Sequence, residues 1–335
     1  MQPFSIAGVQ MPVSASHSNL PEMHRQLDIA MARFPWVQMV VFSELCAFGP
    51  LPGHAQVRGG ELEQTFCEMA RRHDVWLIPG SFFEIVGEAL YNTALVIDPS
   101  GQVVARYSKM FPFLPYEEGV TPGREFCLFD VPGVGRFGLS ICYDMWFPET
   151  SRTLAAMGAE VILHPSLTNT IDRDVEHSIA QATAAINQCY VFDVNGLGDG
   201  GYGRSVMVGP QGNVIYQAGS GPEIVPLQIN LERVRWERTN GIMGLGQLLK
   251  SFRDRPVDFP VYQNDRFDRR YLDALGPLNK PSRRQPMPAA APPGPQAGPE
   301  LVPDPGQSVP AAYGEVPATA DHWQGYPVPG LTNTG

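Results

Sequence analysis

Short apolar runs alternate with stretches of helical spacing along the first 275 residues. Ser5-Ile6-Ala7-Gly8-Val9 and Met39-Val40-Val41-Phe42 have the length and composition of buried strands, and residues 20–34 between them space their apolar side chains as a helix does. Residues 61–73 predict a second helix, followed by the strand Val75-Trp76-Leu77-Ile78. Two further runs, 91–97 and 103–107, flank Asp98-Pro99-Ser100-Gly101, a turn sequence that predicts a hairpin. The second half repeats the plan. A strand over 137–141 leads to a helix over 148–157 ended by Gly158, then to a strand at Val161-Ile162-Leu163. A helix over 173–187, a strand over 190–194 and a hairpin turning at Gly209-Pro210-Gln211-Gly212 follow. Sheets with helices on their outer faces are expected. Two such layers stacked sheet on sheet give a four-layer α-β-β-α sandwich.

The pattern stops near residue 275. From 281 to 335, 13 of 55 residues are proline and few are large and apolar. Such a segment buries too little surface to offset its ordering entropy, so 276–335 is expected to be a solvated tail. Tyr313, Trp323 and Tyr326 are the residues that could dock locally. A formal net charge of −10, with no Lys/Arg-rich run, argues against nucleic acid or an anionic membrane as partner. The first residues show no secretory signal pattern and no window suits a spanning helix. Five widely spaced cysteines without a CxxC pair disfavour a disulfide framework or a zinc site, and fit a reduced cytoplasmic setting. No metal or cofactor is expected.

Three residues carry the candidate chemistry. Cys142 ends the apolar run Phe137-Gly138-Leu139-Ser140-Ile141, and Pro148-Glu149 opens a helix just beyond. A thiol at a strand-to-helix junction lies where α/β folds place ligands and near N–H groups able to hold an oxyanion. Taken alone it could equally be a buried structural cysteine. Glu44 follows Val40-Val41-Phe42-Ser43, where poor solvation raises a carboxyl pKa toward that of a general base. Lys109 follows the first hairpin. A base, a cation and a thiol thus fall at the ends of three apolar strands and could meet on one rim.

These segments resemble the three signature blocks of the nitrilase superfamily of carbon–nitrogen hydrolases. The first is Phe42-Ser43-Glu44-Leu45. The second is Tyr107-Ser108-Lys109 with Phe111-Pro112 and Thr121-Pro122-Gly123. The third is Gly138-Leu139-Ser140-Ile141-Cys142-Tyr143-Asp144 before Pro148-Glu149. The resemblance covers residues 4–230 and implies that family's α-β-β-α fold. It also implies Cys142 as nucleophile, Glu44 as base, and Lys109 with the Tyr143 backbone N–H at the oxyanion. Glu117, eight residues past the lysine, matches a second glutamate of the family; its neighbour Glu118 is the alternative. Self-association as a dimer or larger is implied too, with 231–262 as the interface and 232–275 as a C-terminal extension.

Where true nitrilases carry Trp-Glu, this chain has Tyr143-Asp144, similar to amidases; residues 109–119 resemble aliphatic amidases and formamidases. Trp146 stands where the ω-amidase branch has an arginine, which argues against an ω-carboxylate substrate. A small or aryl amide is therefore expected, with Phe48, Tyr116, Trp146 and Leu167 as pocket candidates; Trp146 could instead pack in the core. N-carbamoyl or nitrile substrates are the alternatives within the family. Outside it, the alternatives are a Cys–His dyad through His164 and a catalytically idle scaffold with a partner-binding tail.

Overall fold

The computed structural model describes residues 3–169, 171–199, 201–255, 257–263 and 267–280. In the first half, β1 (Phe4–Gln10), α1 (Leu20–Arg33), β2 (Met39–Phe42), the short β3 (Gln56–Val57), α2 (Glu61–His73) and β4 (Trp76–Ile78) succeed one another. Then β5 (Ser81–Val86) and β6 (Ala89–Ile97) form a hairpin, and β7 (Val103–Ser108) pairs antiparallel with β6. The second half runs β8 (Cys127–Val131), β9 (Gly135–Leu139), α3 (Pro148–Ala156), β10 (Val161–Ser166), α4 (Arg173–Asn187) and β11 (Tyr190–Asn195). It continues with β12 (Val206–Val208), β13 (Val214–Gln217), β14 (Glu223–Ile229), α5 (Leu231–Asn240) and α6 (Leu248–Asp254).

Two sheets result. The first has the order β14-β1-β2-β4-β6-β5-β3, with β7 also paired to β6; the second has the order β13-β12-β11-β10-β9-β8. The strands joined by helices are parallel, β1 to β2 to β4 in one sheet and β9 to β10 to β11 in the other. The alternation of side chains along a strand explains the layering. Ile6, Met39, Val41 and Val96 of the first sheet meet Phe137, Leu139, Leu163 and Phe192 of the second in one core. Their neighbours Ala7, Val9, Val40 and Phe42 face the other way, onto Met23 and Leu27 of α1 and Phe66 and Met69 of α2. Ile162, Val191 and Val206 likewise face Leu154 of α3 and Ala180 and Ala184 of α4. The layers are thus α-β-β-α, as expected. Each fully buried Leu, Ile or Phe in them contributes about 1.5–3 kcal/mol.

Three strands escape the sequence pattern. Glu84 interrupts the apolar run of β5 and is fully buried, held by Arg58 and Arg106. The five residues of β8 lie on a sheet edge and alternate buried with more open positions. In β14, Pro226 lacks a donor, which suits an edge strand paired on one side only, here to β1.

One compact unit takes in Met1–Asn264 and Leu278–Arg283; a second begins with Asp265–Pro277, and its described residues hold a short helix, Arg270–Asp273. The proline-rich segment from 281 on, with Tyr313, Trp323 and Tyr326, lies outside the described residues. Among the described residues no helix is long and apolar enough to cross a membrane.

Two glycines let the strand ends approach closely. Gly80 has φ +78°, and a Cβ there would lie 1.8 Å from the Ser43 carbonyl oxygen, next to Glu44. A Cβ on Gly123 would lie 2.0 Å from the Ser108 carbonyl oxygen, next to Lys109. Gly80→Ala is expected to lower the unfolding free energy by at least about 1–3 kcal/mol, since it adds both a strained φ and a clash. The check is the urea midpoint; an unchanged value would mean that the segment around Ser43 yields freely.

Candidate active site

Glu44 stands two residues beyond β2, Lys109 directly after β7, and Cys142 three residues beyond β9. All three therefore reach one rim of the sandwich, and their side chains meet there. Lys109 is 2% exposed, and its Nζ donates to Glu44 Oε1 at 2.8 Å and Glu117 Oε2 at 2.7 Å. Glu44 Oε2 accepts from the Leu167 backbone N–H at 3.0 Å, tying the end of β2 to the segment after β10 in the other sheet. The Cys142 thiol hydrogen-bonds the Glu44 carboxylate. Glu117 Oε2 also accepts from the Phe113 N–H at 2.6 Å. Glu118 is exposed, so of the two adjacent acids it is Glu117 that joins the cluster.

Asn92, inside β6, completes the arrangement and was not singled out from the sequence. Its Nδ2 donates to Glu44 Oε1 at 2.8 Å and to Glu117 Oε1 at 2.9 Å, so one neutral amide and one ammonium hold both carboxylates. A polar pair, Asn92-Thr93, within an otherwise apolar run was the available signal.

The electrostatics follow from burial. Glu44 is pushed above the ordinary carboxylate range by burial, with Lys109 opposing and Glu117 reinforcing the shift. Burial also works to raise Glu117, but the Lys109 ammonium and its other donors outweigh this and hold it below that range. Burial works to lower Lys109; Glu44 and the other negative groups overcome it and raise the pKa. The Cys142 thiol is pushed well above its usual value by burial and by the Glu44 charge, so it rests as the neutral thiol. Such a thiol attacks only as a neighbouring base removes its proton.

Cys142 has φ +45° and opens a tight 3-10 turn, Cys142–Trp146. A non-glycine residue held there is strained, and such strain persists only where the surroundings fix it. The N–H of Tyr143 sits in the first turn, where N–H groups find no partner within the helix. Asp144 fixes the turn from below. Its carboxylate accepts from the Ile141 N–H at 2.9 Å, the Tyr107 hydroxyl at 2.7 Å and the Phe111 N–H at 2.9 Å. It thereby links the thiol turn to both sides of Lys109. His164 is 1% exposed and bonds Ser140 Oγ at 2.7 Å through Nδ1. It also reaches the Cys142 backbone, and burial lowers its pKa to about 4. It contacts the backbone of the cysteine, not the thiol, so the geometry gives no Cys–His dyad.

Beside the thiol lies a cavity of about 80 Å³ lined by Phe113, Cys142, Tyr143, Trp146, Leu167, Thr168, Asn169, Asp172 and Glu176. Of the pocket candidates, Trp146 and Leu167 face it. Phe48 instead packs against the core between the first sheet and its helices, and Tyr116 is 56% exposed and stacks on Phe113. Glu176 was also not foreseen: its Oε2 accepts from Arg173 Nη1 at 3.0 Å, and burial with the nearby Asp193 charge pushes its pKa up to about 7.

A hydrogen-bonded thiol, base and buried ammonium on an α-β-β-α sandwich define a class of thiol hydrolase, and residues 5–238 match the family model described as carbon-nitrogen hydrolase. The chain belongs to the carbon–nitrogen hydrolase family, enzymes acting on non-peptide C–N bonds. It is 32% identical over 198 residues to the omega-amidase NIT2 of Homo sapiens, covering 55% of this chain and 71% of that one. It is 31% identical over 262 residues to the deaminated glutathione amidase of Synechocystis sp., covering 71% of this chain and 96% of that one. The crystal structure of Saccharomyces cerevisiae Nit3, a member of branch 10 of the nitrilase superfamily, superimposes with a TM-score of 0.66 at 26% identity, covering 71% of this chain and 94% of that one.

The Asp144 contacts give a stability test. Tyr107→Phe leaves a buried carboxylate short of its closest donor and is expected to cost about 1–3 kcal/mol in denaturant unfolding. Burial raises the Asp144 pKa from 3.8 to about 6 against the hydrogen bonds that oppose it. The folded state thus holds this proton more tightly than the unfolded chain. The stabilisation is full below the unfolded value and is lost as pH rises through about 6. Asp144→Asn is expected to remove that part of the pH slope; an identical slope in both proteins would refute the assignment.

Proposed function

We propose that this chain hydrolyses a small amide through a thioester on Cys142, releasing ammonia or an amine. The observation that carries the reading is the hydrogen bond between the Cys142 thiol and Glu44, whose other partner is a buried Lys109. In the proposed sequence, Cys142 Sγ attacks the carbonyl carbon while Glu44 takes the thiol proton. The carbonyl oxygen becomes an oxyanion held by Lys109 Nζ and the Tyr143 N–H. Glu44 then gives its proton to the departing nitrogen, the C–N bond breaks, and the acyl group remains on sulfur. Water enters, loses a proton to Glu44 and adds to the thioester. Collapse frees the carboxylic acid, and the proton returns from Glu44 to the sulfur. Glu117 and Asn92 hold Lys109 and Glu44 in place for both halves.

The size of the cavity supports a small acyl group, since drug-sized ligands need several hundred Å³. Among the described residues its lining holds no Lys or Arg, which argues against an ω-carboxylate. The omega-amidase names of relatives are therefore not carried over. We further propose a cytoplasmic enzyme that self-associates. The exposed apolar side chains Trp236, Leu248, Phe252, Val257 and Phe259 within 231–262 support an interface there.

The test is ammonia release from a panel of small amides, N-carbamoyl compounds and nitriles. Turnover is expected with amides, and Cys142→Ala, Glu44→Gln and Lys109→Met each lower kcat by at least about 100-fold. His164→Ala is expected to retain turnover; the reverse pattern, activity lost with His164→Ala and kept with Lys109→Met, would sink the mechanism. Because Glu44 acts as base in its ionised form, kcat/KM falls as pH drops through its raised pKa. No turnover on any compound and no alkylation of Cys142 would favour an idle scaffold. For the assembly, light scattering is expected to give at least twice the 36.7 kDa of one chain. A mass near one chain would end that part of the proposal.

A further inference from the structure

The wall of the cavity opposite the thiol is chemically one-sided. Among the described residues its lining contains two carboxylates, Asp172 and Glu176, and no Lys or Arg. The nearby cations are committed elsewhere. Lys109 serves Glu44 and Glu117, and Arg173 lies between Glu176 at 3.0 Å and Asp193 at 2.8 Å. One guanidinium against two carboxylates leaves that wall with surplus negative charge. Glu176 is 8% exposed and faces the cavity, so its charge is felt through a medium of low polarity. A second feature is independent of charge. The rings of Phe113, Tyr143 and Trp146 also line the cavity, with Tyr143 4.9 Å from Phe113 and 6.3 Å from Trp146 between ring centres. Aromatic faces attract alkylammonium groups, more strongly where water is excluded.

We infer that the cavity prefers amides whose far end carries an ammonium group, seated between the Glu176 and Asp172 carboxylates and the rings of Tyr143 and Trp146. A carboxylate at that end meets two like charges, and a plain alkyl end leaves Glu176 with Arg173 as its only described ion pair. The inference rests on the amide reading for which bond is cut, but the charge preference belongs to the wall and can be measured without catalysis.

The experiment uses the full chain with Cys142→Ala and ligand-observed NMR to measure binding of ω-amino amides with two to four methylenes. Each is compared with the n-alkyl amide and the ω-carboxylate amide of the same length. At the best length the ammonium compound is expected to bind at least about tenfold tighter than the alkyl one, with the carboxylate weakest. Adding Glu176→Gln is expected to shrink that ratio. Asp172→Asn, expected to act in the same direction, serves if loss of the Arg173 pair unfolds the first variant. Equal binding at every length, a preference for the carboxylate, or ratios unchanged in the variants would overturn the inference. Turnover of the same compounds by the unmodified chain separates the two claims. Cation preference without turnover removes the amidase reading alone, while turnover without cation preference removes this inference alone.

Discussion

The site depends on one buried ammonium. Lys109, almost wholly removed from water, is shared by two carboxylates that lie on different segments of the chain. Burying three charges costs several kcal/mol per ion and is offset only where every lone pair finds a donor. Here Asn92, Leu167 N–H and Phe113 N–H supply the remaining donors. The arrangement is a poor way to stabilise a fold and a good way to fix positions. It leaves Glu44 pressed toward protonation, facing a thiol that resists losing its proton, so proton transfer and attack are tied together.

From that centre the structure can be followed outward. Asp144 fastens the turn of Cys142 to both sides of Lys109, and Gly80 and Gly123 let the neighbouring strand ends close in. None of these residues belongs to the core, yet the core decides where they sit. The helices on the outside flatten each sheet against the other, and the parallel strands bring their ends to one rim.

The sequence made the frame legible wherever a run was uniformly apolar. β1, β2 and α2 are nearly where periodicity puts them, because nothing in those segments competes with the hydrophobic pattern. β5 was hidden by a buried glutamate whose partners, Arg58 and Arg106, are distant in sequence, and β14 by a proline tolerated on an edge. The same limit applies to the site. Glu44, Lys109 and Cys142 stand at recognisable strand ends, and the choice between Glu117 and Glu118 waits on the loop that carries them. Asn92 and Glu176 act through neighbours brought by folding, which no local spacing reveals. Phe48 and Tyr116 failed to reach the cavity because chain proximity to Glu44 or Glu117 does not set the direction of a ring.

The hydrogen bond from Leu167 to Glu44 joins one sheet to the other at the rim. Its length is therefore a gauge of how the two sheets are registered. A closely packed interior transmits small displacements, so a sideways slip of one sheet across Phe137 and Phe192 is felt at the thiol and its base before any layer separates. For this molecule, the chemical site is the most sensitive reporter of its own interior, and catalytic competence is a finer measure of sheet alignment than resistance to unfolding.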